Sequence, residues 1–563
     1  MKNTLCAVAL SIFSLALNSQ PVFNLQDTLR GSLNEHRDWF DIQHYDISVT
    51  PTFETKSIIG QVSWTSKVVK PSNNIQIDLQ QPLIIDSVIY FAPNTKSGKS
   101  LTFSRNENVA LVNFSDKLNI NANFKLVIYY HGIPVEAVRP PWDGGWIWKK
   151  DANGKPWMSV ACQGLGASIW YPCKDHQSDE PDKGASLTMN VPDSLMGVGN
   201  GRMIKKENNN QLTSYTWEVI NPINNYNIVP YIGDYMGWSE NYNGLKGNLD
   251  LHYWVLKQDS TKAKAQFTQV PQMLKAFEYW MGPYPFYEDG YQLVQSPHLG
   301  MEHQSAVAYG NKFGNGYLGR DLSGSGWGLK WDFIIVHESG HEWFANNITT
   351  NDIADMWVHE GFTNYTETLM TEYYYGIEAG NDYNFGIRRG IQNNKPIIAN
   401  YGVNEQSDGD MYNKGANLIH TIRHSMDNDS LFRQILINLN KQFYHKTVNS
   451  VDIENYISKS AGFNYNKIFN QYLRNTQIPS LVYQYDEKEK ILTYQWKNCV
   501  VGFNLPIAFN YKGNKYQLSP MDYIPQKKLI TQADFDIKEF VKLINRLFYI
   551  NTLFLIRKIH HSQ

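Results

Sequence analysis

Cysteine is scarce, with four in 563 residues, so a disulfide framework is not what holds this chain together. An excess of either charge is lacking too. Lys and Arg number 51 against 53 Asp and Glu, a net charge of -2, which leaves no whole-molecule field to gather nucleic acid by counterion release. Nucleic acid is therefore not an expected partner. Internal repeats and low-complexity linkers are missing, which sets aside solenoids and disordered scaffolds. Membrane-length apolar runs are missing from the body of the chain. Leu547 to Ile556 spans ten residues, about half of what a transmembrane helix needs. What is plentiful is apolar and aromatic: the chain is 42% hydrophobic and 14% aromatic, with 16 Trp and 35 Tyr. That composition can fill the cores of about three or four domains.

The N-terminus carries Lys2, a run dominated by apolar residues from Leu5 to Leu17, and a polar break at Asn18-Ser19-Gln20. This is the pattern of an export signal over residues 1–20, and it places the protein in a periplasm or outside the cell. Removing the signal takes Cys6 with it. Cys162, Cys173 and Cys499 remain, an odd set that allows at most one disulfide, Cys162 with Cys173.

Apolar residues alternate with polar ones in stretches such as Tyr45-Asp46-Ile47-Ser48-Val49 and Asn74-Ile75-Gln76-Ile77-Asp78-Leu79. Turn-rich segments separate them, as in a layered antiparallel domain. The expected fold is multidomain α+β. An all-β, sandwich-like domain covers 21–255, a mainly helical domain follows over 256–478, and a small β domain occupies 479–545. Residues 546–563 form a tail with no assigned chemistry. Thr261 to Met281 opens the helical part, with apolar residues at helical spacing.

The chemical centre is the H-E-x-x-H pattern of His337-Glu338-Ser339-Gly340-His341, inside the apolar segment Trp331 to Phe344. On a helix the two histidines lie about 400° apart, so both imidazoles leave one face about 6 Å from each other, a bite suited to zinc. Glu338 is turned off that direction and stands beside the open coordination position, where a general base is needed. Roughly 2% of chains this size carry the pattern by chance, so a third ligand is required. Glu360, eighteen residues beyond His341, supplies a carboxylate. Seven residues further, Glu367 returns to the same helical face and is placed to bond the far nitrogen of a liganding histidine.

This arrangement resembles the gluzincin zinc aminopeptidases of peptidase family M1. Leu299-Gly300-Met301-Glu302-His303 is similar to the family's G-x-M-E-N segment, with Leu299 in place of the first Gly and His303 in place of Asn. The resemblance implies that Glu302 binds the substrate's free amino terminus and that the Gly300-Met301 backbone helps hold the peptide. Gln163, in Cys162-Gln163-Gly164, stands where the family reaches from its β domain to the same ammonium. Tyr412, in Tyr412-Asn413-Lys414-Gly415, matches the tyrosine that stabilises the tetrahedral intermediate. The resemblance implies a thermolysin-like helical domain, one zinc ion on His337, His341 and Glu360, and peptides with a free amino terminus as substrates. An endopeptidase with the same metal site is the competing reading, and the segment around Glu302 argues against it.

Gly314-Asn315-Gly316-Tyr317-Leu318-Gly319 fits a dinucleotide-binding pattern but lacks the strand-turn-helix frame and the ribose-binding acid. No chemistry is assigned to it.

Overall fold

The computed structural model describes residues 22–93 and 95–555; the export signal read at 1–20 and the tail beyond 555 lie outside the described residues. The N-terminal part is β-rich. Its largest sheet has eight strands, with Phe40–Thr52 at the centre, antiparallel to Ser57–Val68 and parallel to Ala185–Pro192. The alternation seen in the sequence is the cause: Tyr45, Ile47 and Val49 are fully buried while Asp46 faces out. A four-stranded sheet contains Pro156–Ala161, which ends one residue before Cys162 and so delivers Gln163 to the boundary with the helical part.

A five-stranded sheet links the two parts, in the order Tyr235–Gly244, Gly247–Leu256, Tyr291–Gln295, Val307–Tyr309 and Gly300–Met301. The division drawn at residue 255 falls inside the second of these strands. Leu249, Leu251 and Tyr253 pack into the core of the helical part, whereas Tyr235 belongs to the β core.

The helical part begins with two helices rather than one, Ser260–Gln266 and Gln269–Met281. Pro271 explains the break. It has no N–H to give to Phe267, and its ring would clash with that carbonyl, so the second helix restarts just ahead of it. Farther on, Trp357–Tyr375 packs against Asp410–Met426. Their backbones nearly touch at a glycine pair, where a Cβ on Gly415 would come within 2.8 Å of the Gly361 Cα. This close crossing brings Tyr412 and Glu360 to the same cavity wall.

The last part is a four-stranded sheet, a hairpin and the helix Ile537–Leu547. Asn551–Phe554, from the stretch left without a role, pairs in parallel with Ser480–Asp486 and so completes that sheet.

The expected disulfide is absent. Cys162 and Cys173 are both free and buried, the Cys162 thiol donating to the Tyr226 carbonyl at 3.3 Å. Cys173 is fixed separately by paired backbone bonds to Asp78. Burial pushes both thiols well above their ordinary range, so they act as small apolar core groups.

Candidate metal centre

The helix Phe333–Gly340 is apolar around most of its surface and wholly buried, as a helix enclosed on every side must be. Asp332 caps it, accepting from the Ile334 and Ile335 amides. The helix is shorter than the apolar segment that suggested it. After His341 the backbone turns sharply, with Phe344 at φ -130°, ψ 90° and Ala345 at φ 142°, ψ -51°. The turn swings the Phe344 carbonyl back to His341 Nδ1, 3.1 Å away.

The structure brings His337, His341 and Glu360 together, with one donor atom from each lying within 4.8 Å of the others. Each imidazole is held by its far nitrogen. His337 Nδ1 meets Glu367 Oε1 at 2.7 Å, and the second Glu367 oxygen accepts from Tyr383 at 2.6 Å. His341 Nδ1 faces the Phe344 carbonyl and, at 3.1 Å, the Thr363 hydroxyl. A carboxylate and a carbonyl can only accept, so both histidines carry their proton on Nδ1 and turn Nε2 lone pairs inward. There they face Glu360 Oε2, 3.7 Å from His337 Nε2 and 3.3 Å from His341 Nε2. That oxygen is buried without a hydrogen-bond partner. Three electron-rich atoms turned toward one another in a buried site repel unless a cation joins them. Two imidazoles and one carboxylate with a position left open are the donor set of a hydrolytic zinc site, and the residues fit that ion.

Glu338 and Glu302 also lie in this cluster, each with a carboxylate oxygen within 4.8 Å of the other and of His341. Burial pushes the Glu338 carboxyl up to about 7, near the range where a general base works best at neutral pH. Glu302 is 3% exposed, and its carboxyl is also raised by burial. Its Oε1 receives two donors from the β-rich part, the Gln163 amide and the Tyr226 hydroxyl at 2.9 Å, which leaves Oε2 for the cavity. Tyr412 lies over His337 with ring centroids 6.0 Å apart, and burial holds its hydroxyl protonated as a donor. Gly300 and Met301 form the buried edge strand of the five-stranded sheet along the same cavity of about 490 Å³.

The candidate metal, catalytic and substrate-binding residues read from the sequence therefore meet at one place. Tyr226, Thr363 and Asn346, whose amide holds the Glu302 carbonyl at 2.9 Å, were not picked out. Thr363 is one helical turn beyond Glu360, and that spacing was a usable signal; Tyr226 and Asn346 carried none. His303 plays no part in the cavity wall. It is fully buried and bonds the Tyr231 hydroxyl, which itself donates to the Ala306 carbonyl at 2.7 Å.

Family models match on both sides of this site: the peptidase M1 N-terminal domain over residues 42–226 and the peptidase family M1 domain over 272–472. The chain belongs to peptidase family M1. Among its relatives, leukotriene A-4 hydrolase of Xenopus laevis is 22% identical over 444 residues, 74% of this chain and 68% of that protein. A probable aminopeptidase 1 of Sulfurisphaera tokodaii is 20% identical over 451 residues, 75% of this M1 chain but 52% of that protein. The chain thus spans about half the length of some relatives it matches. Among solved structures, an M1 zinc metallopeptidase from Deinococcus radiodurans superposes with a TM-score of 0.66 at 21% identity, covering 78% of this chain and 95% of that one. The fold is that of the family: a β-rich domain, a helical domain bearing the metal site, and further β-sheets at the C-terminus. This M1 chain is accordingly a zinc metallopeptidase, and no helix among its described residues is long and apolar enough to cross a membrane.

Proposed function

We propose that the enzyme removes single residues from the free amino terminus of peptides, with His337, His341 and Glu360 holding one zinc ion. The observation that carries this reading is the closeness of Glu302 to Glu338 and His341, all within 4.8 Å in their carboxylate and imidazole atoms. An α-ammonium and the carbonyl of its own residue are separated by a single carbon. An ammonium on Glu302 Oε2 therefore presents the first peptide bond, and no later one, to Glu338. An internal peptide bond has no ammonium to offer and would leave Glu302 buried and unpaired.

The chemistry that zinc supplies when bound is Lewis-acid activation of water and of the scissile carbonyl. Glu338 takes a proton from the attacking water and gives it back to the leaving amine. Tyr412 donates its O–H to the oxyanion, a contact whose loss typically costs about 2.7–4 kcal/mol of transition-state stabilisation. Gln163 and Tyr226 hold Glu302 in place. Beyond these groups the cavity wall includes the apolar Leu299, Met301, Tyr317, Leu322, Phe333 and Ile334 and the polar Asn364, Gln406 and Asn413, with no Lys or Arg, which disfavours an acidic first residue.

The test is hydrolysis of free and N-acetylated aminoacyl arylamides, with and without a zinc chelator, by the wild type and Glu338→Gln. Cleavage of free substrates alone, abolished by the chelator and by the substitution, is the expected result. Equal cleavage of blocked substrates would return the endopeptidase reading. Lys2 and the Leu5–Leu17 run support export to a periplasm or the medium. Sequencing the amino terminus of mature protein from the exported fraction checks this, and intact Met1 on cytoplasmic protein would contradict it.

A further inference from the structure

The cavity that holds the metal centre is one of two that meet at the sheet edge. The second, about 570 Å³, shares Trp142 and Leu299 with the first as walls. We propose that this second cavity binds the C-terminal carboxylate of the substrate, so that the enzyme prefers short peptides with both ends free. The inference rests on the aminopeptidase reading.

Direction comes from the edge strand. Gly300–Met301 bonds to Val307–Tyr309 on one side and lines the cavity on the other, so a peptide can add to it as a further strand. With its ammonium on Glu302, that peptide has two ways to run. Toward His303, Gln304 and Ser305 the way is closed, since all three are fully buried and line neither cavity. The open way leads antiparallel to the strand, past Gly300 and Leu299 to His298 and Pro297, which line the second cavity. At about 3.4 Å per residue, the third to fifth residue of the peptide arrives there.

Charge changes sign along that path. The acidic groups of the first cavity are Glu302, Glu338 and Glu360, at the end that takes the ammonium. The second cavity has Lys149, Lys262 and Lys312 against one carboxylate, Asp259, which already accepts from the Gln295 amide at 2.8 Å. Among the described residues no carboxylate pairs with any of these lysines; Lys149 donates only to the Pro297 carbonyl, at 2.7 Å. His298 lines the same cavity with its ring nitrogens buried behind the wall. It is 5% exposed, and neither ring nitrogen has a hydrogen-bond partner. Where the two cavities join stands Trp142, 70% exposed, at the tip of a loop pinned by Asp143 accepting from the Val138 and Arg139 amides. An indole held out over the crossing offers a flat face to a peptide backbone. A short zwitterionic peptide matches this layout end for end.

The test is kcat/KM for a series from Leu-Ala to Leu-Ala-Ala-Ala-Ala, each as the free acid and as the C-terminal amide. The enzymes are the wild type and the double variant Lys262→Ala, Lys312→Ala. Both lysines are exposed, so the variant keeps the fold. The expected result is an acid-over-amide preference of about tenfold for the tri- to pentapeptides in wild type, falling toward one in the variant and at high salt. Equal hydrolysis of acid and amide by wild type, or a preference untouched in the variant, would overturn the proposal. Leucine arylamide separates the two levels: its cleavage with no acid preference sinks only this inference, and its resistance sinks the aminopeptidase reading as well.

Discussion

Gly300 gives up its side chain to make room for Glu338: a Cβ built on it would lie 2.7 Å from Glu338 Oε1 and 3.0 Å from Glu338 Cγ. The edge strand and the candidate base are thus fitted to each other through an absent methyl. Gly300→Ala is expected to displace the carboxylate and lower kcat roughly 100-fold, at the lower end of what general-base catalysis contributes. Zinc content should stay at one per chain, because no metal donor is touched. Steady-state kinetics with metal analysis checks both, and a kcat near wild type would show that Glu338 does not need this space.

Glu367 orients His337 through the 2.7 Å contact at Nδ1. Glu367→Ala frees the ring to rotate, and zinc affinity should weaken about 10–100-fold. Competition with a chelator of known affinity measures this. Unchanged affinity would mean that packing, including the stacking of Phe333 on His337, fixes the ring instead.

Tyr226 is the residue that links the β-rich part to Glu302 by a hydroxyl. Tyr226→Phe removes one donor and leaves the Gln163 amide in place. A hydrogen bond to a charged group is worth about 1.5–3 kcal/mol, so KM for free-amine substrates should rise roughly 10–100-fold with a smaller change in kcat. A fall in kcat with KM unchanged would argue that Tyr226 acts on the chemical step.

Asp332, which caps the metal helix, has its carboxyl raised by burial to about 6. The folded chain therefore holds this proton more tightly than the unfolded chain, where the carboxyl titrates near 3.8. Its contribution to stability is fully present below about pH 4 and is lost as pH rises through 6, a change of about 3 kcal/mol. Thermal midpoints of wild type and Asp332→Asn between pH 4 and 8 test the sign. The difference, wild type minus variant, should fall as pH rises, and a difference that grows would contradict it.

The metal donors were legible in the sequence because they are short-range patterns, whereas Glu302, Gln163 and Tyr412 were legible only through the resemblance to the family. His337 and His341 are one helical turn apart, and Glu360 and Glu367 share a helix face, so periodicity alone predicts their directions. Tyr226 was not legible. It reaches Glu302 across 76 residues of chain, from a turn that no local pattern marks as special. The same holds for the Gly361–Gly415 contact, where two helices far apart in sequence touch by backbone. Cys162 and Cys173 suggested a pair by proximity in sequence, but the thiol of one is spent on Tyr226 and the backbone of the other on Asp78. The end of the metal helix was also hidden. Apolar residues continue to Phe344, while the chain turns after His341 to bring a carbonyl to its ring.

The most direct test of the account is kcat/KM for leucine arylamide and its N-acetyl derivative on wild type and Glu302→Ala. Hydrolysis of the free substrate alone by wild type and a loss of about 100-fold or more in the variant are expected, with the blocked substrate inert to both. Comparable cleavage of the two substrates by wild type, or full activity in the variant, would contradict it.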